Sequence, residues 1–138
     1  MFARLSLASL FVLLLAAPAF ALPPLPKYVE QHYSADPEYA KFAETFKSLK
    51  MKCNTCHKPG ADKKAKGHGL NDFGKAVHDH FKHKDFSAAA KIAADDPEAA
   101  KQALALASAA LKAAEGEKNA AGKTYGELIK AGTLPGTN

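Results

Sequence analysis

The chain contains only two cysteines, Cys53 and Cys56, and this scarcity argues against several kinds of site. A structural zinc site normally uses four Cys or His ligands, usually as two pairs, and no second cysteine pair exists. A disulfide across so short a loop would be strained and would constrain the unfolded chain very little. A thioredoxin-like redox pair is expected near a β-α-β pattern, and no segment shows the sustained alternation that predicts strands.

Arginine is also nearly absent, since Arg4 is the only one among 19 lysines and arginines. No nucleic-acid-binding motif is present, and basic residues do not interleave with aromatic ones. The composition therefore argues against a nucleic-acid partner.

Long apolar runs are missing as well. The run Leu10–Ala17 is too short for a confident membrane span. It lies between Arg4 and the small-x-small sequence Ala19-Phe20-Ala21, which is the pattern of a signal peptide. We expect residues 1–21 to be removed, so that the protein is periplasmic or secreted and has no stable membrane insertion. The remaining 138 − 21 = 117 residues suffice for one domain, with 18 lysines against 14 acidic residues.

The two cysteines belong to the sequence Cys53-Asn54-Thr55-Cys56-His57, which has the spacing of a covalent c-type haem attachment site. Two thiols add across the two vinyl groups of one porphyrin, and the following histidine binds the iron. The motif therefore predicts one haem c, tethered by Cys53 and Cys56 and ligated by His57.

Prolines and helix-capping residues divide the rest of the chain into helices. Residues 22–36 contain three closely spaced prolines and predict an extended lead-in, with a short helical turn expected at 27–33. Residues 37–138 predict a single domain. Asp-Pro-Glu sequences at 36–38 and 96–98 are typical helix starts. The predicted helices, in an all-α fold, are Pro37 to about Met51, one opening at Asn71 or Asp72 and reaching Phe81, Asp85–Ala94, Pro97–Glu115 closed by Gly116, and Lys123–Lys130.

The motif, the aromatic helix before it and the sequence after it resemble single-haem cytochromes c of class I. In that family a Gly-Pro-x-Leu stretch leads to an aromatic-Gly pair; here Gly67-His68-Gly69-Leu70 leads to Phe73-Gly74, without the proline. The resemblance implies four to five helices wrapped around one haem. It also implies that the backbone carbonyl of His68 binds the proximal imidazole and that Leu70 packs on the porphyrin.

Class I members use a downstream methionine as the sixth iron ligand, and the last methionine of this chain is Met51. The sixth ligand is therefore a histidine, a lysine or asparagine, a water, or nothing. Among the histidines we favour His80, because helical spacing predicts that it shares the apolar face of Phe73, Val77 and Phe81. His83 is a marginal candidate and His32 an outside one, while His78, His80 and His83 together are an alternative surface metal site.

These features predict an electron carrier and not an enzyme. Lysines 47, 50, 52, 58, 63, 64 and 66 lie around the motif and predict either a positive rim that steers acidic redox partners or simply a solvated surface. The alternatives are a haem protein that binds nitric oxide or carbon monoxide at an open sixth position, or a subunit of a larger respiratory complex.

Overall fold

The computed structural model describes residues 25–62 and 66–136, and the expected signal peptide lies outside this part of the chain. Within the described part the fold is all-α, as predicted, and contains no strand beyond two isolated β-bridges. It has six α-helices where four to five were expected. They are α1 Leu25–Ser34, α2 Ala40–Ser48, α3 Asp72–His80, α4 His83–Ile92, α5 Pro97–Glu115 and α6 Tyr125–Lys130, with 3₁₀ turns at Pro37–Tyr39 and Lys52–Thr55.

Helix α1 corrects the prediction of an extended lead-in, because the short helical turn expected at 27–33 is part of a ten-residue helix, Leu25–Ser34. Pro26 falls in the first turn of the helix, where a missing N–H breaks no intrahelical hydrogen bond. Tyr28, Val29 and Tyr33 then form a buried face. Pro26 therefore lies at the start of a helix and not in an extended segment.

The predicted helix from Pro37 is shorter than expected. Asp36 caps it through a 2.9 Å hydrogen bond to the Glu38 N–H, and α2 ends at Ser48 because Leu49 adopts an extended conformation. The change of direction at Leu49 brings the chain into the turn that carries the two cysteines.

Helix α5 forms the centre of the domain and packs against α1, α3, α4 and α6. Asp96 caps its first turn and Gly116 follows its last residue, so both predicted ends are confirmed. Its buried face consists mainly of alanines, which allow close approach of neighbouring helices. The buried positions are Ala99, Ala103, Ala107, Ala110, Leu111 and Ala114.

Aromatic side chains from the other helices fill the core around α5. They pack edge-on or tilted against one another, with ring centroids 4.8 Å apart for Tyr33 and Phe42 and 5.2 Å apart for Phe73 and Tyr125. None of the helices at 25–62 and 66–136 is long and apolar enough to cross a membrane.

A polar cluster is buried where α1 meets the end of α5. The Tyr39 hydroxyl donates a 2.8 Å hydrogen bond to Glu115, and His32 Nε2 lies 3.6 Å from the same carboxylate. Burial alone would raise the pKa of Glu115, but the neighbouring His32 and Tyr39 outweigh it and the net shift is downward. The His32 ring therefore faces the Glu115 carboxylate.

Candidate haem attachment site

The motif folds as one tight turn. The 3₁₀ turn Lys52–Thr55 is followed by hydrogen bonds from the Cys56 and His57 N–H groups to the Cys53 carbonyl, at 3.2 and 2.9 Å. Cys53 and Cys56 are half-buried and not joined by a disulfide. This turn brings both thiols and the His57 imidazole onto one short stretch of backbone.

The imidazole of His57 is held by the backbone of the loop that follows. Its Nδ1 lies 2.8 Å from the carbonyl oxygen of His68. A carbonyl can only accept, so Nδ1 carries the proton and Nε2 keeps its lone pair for another partner. The hydrogen bond implied by the resemblance is therefore present, while a role of either residue toward a haem stays a prediction.

The loop aims this carbonyl by an unusual run of backbone conformations. Gly67, His68 and Gly69 have φ values of 84°, 55° and 60°, and His68 is the one non-glycine residue with positive φ in the described part of the chain. Proline is fixed near a φ of −65° and cannot occupy such a position. Proline would therefore not fit the backbone seen at residue 68, and the carbonyl that accepts from His57 belongs to residue 68, as the resemblance implied.

Asn71 clamps the motif turn to α3. Its side-chain oxygen accepts from the Gly74 N–H at 2.7 Å, and its amide nitrogen donates to the Thr55 carbonyl at 3.0 Å. Its backbone N–H also donates to the Cys56 carbonyl at 2.9 Å. The sequence predicted only the cap, because nothing local in the chain signals a donor to a carbonyl 16 residues away.

Gly74 lets α3 touch the motif directly. A Cβ at this position would lie 1.9 Å from the Cys56 carbonyl oxygen, far inside van der Waals contact. Only glycine therefore permits this approach. The Phe73-Gly74 pair noted in the sequence owes its glycine to this contact.

A cavity of about 430 Å³ opens beside the motif, within the range of about 300–1,000 Å³ that is usual for ligand sites. Leu70 lies in its wall, as the resemblance implied, and the surface is mostly apolar. The lining residues are Leu25, Cys56, His57, His68, Leu70, Gly74, Val77, His78, Phe81, His83 and Phe86.

The environment of Cys56 does not suit a reactive thiolate. Burial, and then the neighbouring Cys53, raise its pKa to about 12. Thiols of disulfide-exchange enzymes have lowered pKa values instead. Together with the all-α fold, this disfavours a thioredoxin-like redox pair.

His80 does not share the apolar face, so that prediction was wrong. Its ring is exposed and its Nε2 lies 2.7 Å from a carboxylate oxygen of Glu117, outside the cavity. At about 100° per residue, α3 has two contacting faces and not one. Phe73 packs against Tyr125 of α6, whereas Gly74, Val77 and His78 line the cavity.

Sequence reasoning underrated His78 and His83, which both line the cavity. Their ring centroids lie 4.5 Å apart, and the His78 ring lies 5.9 Å from that of His68. Burial, and then the nearby His78 and His68, lower the pKa of His83. In the described part of the chain no three His, Cys, Asp or Glu side chains are placed to hold a metal ion, so the surface site of His78, His80 and His83 is not formed.

Comparison of the chain with family models, curated proteins and solved structures gives no match. The functional argument therefore rests on the residues and the geometry described above.

Proposed function

We propose that the chain is a single-haem c-type cytochrome that carries single electrons between redox partners. The observation that supports this most is the hydrogen bond between His57 and the His68 carbonyl, at the wall of a mostly apolar cavity that also exposes Cys56. This arrangement leaves His57 Nε2 available as a metal ligand and fixes the ring from behind, as backbone carbonyls do for metal-ligating histidines.

The residues present fit a haem in their chemistry. Cys53 and Cys56 would form the two thioether tethers, and His57 Nε2 would bind the iron. Bound haem supplies an iron that cycles between ferric and ferrous states. Leu70, Val77 and other apolar side chains line the cavity, and the His68 carbonyl keeps the His57 ring in one orientation and one tautomer.

The surface near the motif is suited to acidic partners. Lys47, Lys50, Lys58 and Lys66 are exposed, whereas Lys52 is paired with Glu30 at 2.5 Å. Exposed lysines of this kind raise the rate at which an acidic partner docks, and the effect falls with salt. We therefore expect electron transfer to an acidic partner to slow as ionic strength rises. Export through residues 1–21 would bring the chain to the compartment where haem c is attached.

Covalent haem after denaturation tests the proposal. The full chain is produced with a c-type maturation system, unfolded in acid and acetone, and examined by haem absorbance and intact mass. We expect the wild type to retain one haem, and the double variant Cys53→Ala/Cys56→Ala to retain none. Met51→Ala is the matched control, because Met51 is 58% exposed and lies two residues before the first cysteine. A wild-type chain that matures without any covalent haem contradicts the proposal.

A second function, binding of nitric oxide or carbon monoxide, is favoured by the lack of any methionine after Met51. It requires an open or labile sixth position on the iron. A reduced spectrum that shifts on addition of carbon monoxide would support this function over electron transfer.

A further inference from the structure

His83 stands out among the residues that line the cavity. It is the first residue of α4, after the bend at Phe81 and Lys82 that ends α3. Its Nε2 is buried and has no hydrogen-bond partner in the described part of the chain. Native structures pair nearly all buried polar atoms, so an unpaired imidazole nitrogen beside a cavity needs an explanation.

The other histidines have different surroundings. His32 Nε2 is also buried without a hydrogen bond, but it lies 3.6 Å from the Glu115 carboxylate and does not line the cavity. His80 is paired with Glu117. His57 Nδ1 donates a hydrogen bond to the His68 carbonyl. The His78 side chain is 42% exposed, and its Nδ1 lies 3.8 Å from Asp79. His83 alone among the cavity residues at 25–62 and 66–136 has a buried nitrogen without a partner.

His83 also lines the same cavity as His57. His57 pairs with Leu70 just before α3 begins, and His83 follows the end of α3. Both residues line the cavity, and along the chain they lie on either side of the nine-residue helix α3. The His83 ring is held in place by the edge of Phe81, with centroids 4.7 Å apart.

We infer that His83 supplies the second axial ligand of the haem, through Nε2. The inference rests on the proposed function, because without a covalent haem there is no iron to bind. Bound to the iron, His83 Nε2 would gain the partner that it lacks, and the iron would be held by His57 and His83. Such ligation closes the iron to small ligands and lowers its reduction potential relative to a histidine–methionine pair.

The test compares absorption spectra of the purified holoprotein, oxidised and reduced, with and without carbon monoxide. We expect a low-spin wild type that does not respond to carbon monoxide. His83→Ala should become high-spin and bind carbon monoxide, and added imidazole should restore the low-spin spectrum. His83→Met should stay low-spin with a raised reduction potential. His80→Ala, outside the cavity, should match the wild type.

The inference is overturned if haem-loaded His83→Ala keeps the wild-type spectrum. It is also overturned if the wild type is already high-spin, or if His78→Ala loses the low-spin spectrum while His83→Ala keeps it. His83→Gln, of similar size, replaces His83→Ala if that variant does not fold. A wild type without covalent haem is a separate result, because it contradicts the proposed function itself.

Discussion

Replacing Gly74 by alanine gives the sharpest test of how α3 is joined to the motif. The added Cβ would lie 1.9 Å from the Cys56 carbonyl oxygen, and an ordinary contact requires at least 3.4 Å. Helix and turn must therefore separate by about 1.5 Å. The atoms in the way are backbone atoms of Cys56, so a side-chain rotation cannot relieve the clash.

The cost follows from what that separation breaks. Overpacking of this kind costs about 1–3 kcal/mol. The buried hydrogen bonds that join Asn71 to the Thr55 and Cys56 carbonyls would also lengthen, and an unpaired buried group costs about 1–3 kcal/mol. We expect Gly74→Ala to lower the free energy of unfolding by roughly 3–5 kcal/mol, a large part of the 5–15 kcal/mol typical of a domain.

Urea unfolding followed by far-UV circular dichroism measures this change. The matched control is Gly116→Ala, at an exposed helix end with an ordinary φ of −74° and its nearest neighbour 3.5 Å away. The control should stay within about 1 kcal/mol of the wild type. If Gly74→Ala is equally mild, the close approach of α3 to the cysteine turn does not exist and the reasoning fails.

Three further predictions concern the same region and the buried acid. Asn71→Ala should lower the free energy of unfolding by roughly 2–4 kcal/mol, because it removes a helix cap and leaves the Thr55 carbonyl unpaired. Asn71→Asp keeps the cap and should lose less in urea unfolding. Equal losses of unfolding free energy in the two variants would refute the cap. The lowered pKa of Glu115 stabilises the fold above the ordinary value of 4.5, and this contribution is lost as the pH falls through the folded pKa. Between pH 7 and pH 4, the free energy of unfolding should fall less for Glu115→Gln than for the wild type. An equal fall in both would show that this carboxylate does not contribute to the acid sensitivity. At position 68 the backbone is left-handed, so His68→Gly should keep the free energy of unfolding within about 1 kcal/mol of the wild type, while His68→Val should lower it by roughly 1–3 kcal/mol. Thermal unfolding measures both variants. Equal stability of the two would contradict the positive φ.

The helices were largely predictable from local signals. The Asp-Pro-Glu sequences predicted two helix starts, and both ends of α5 are where the sequence placed them. Helix α1 is longer than the short turn expected at 27–33, because the proline-rich sequence around its start also fits an extended chain. Its stability comes from burying Tyr28 and Tyr33 in the shared core, which the local sequence does not reveal.

The candidate site was predictable only where the chain positions residues locally. The spacing of Cys53, Cys56 and His57 pointed to one shared site, and the resemblance pointed to the carbonyl of His68. The prediction that His80 shares a buried apolar face was wrong, because helical periodicity gives the angle of a side chain but not which neighbour lies on that side. His83 follows a bend between two helices, where periodicity carries no information.

The role of residue 68 belongs to its carbonyl and not to its side chain. The part of the chain that shapes the carbonyl's direction is the pair of glycines around it, both with positive φ. Evolution could therefore change the side chain at 68 to glycine, asparagine or aspartate and keep the same contact with His57, whereas β-branched residues and proline are excluded. A pattern intended to recognise distant relatives of this chain should fix the two flanking glycines and leave position 68 open.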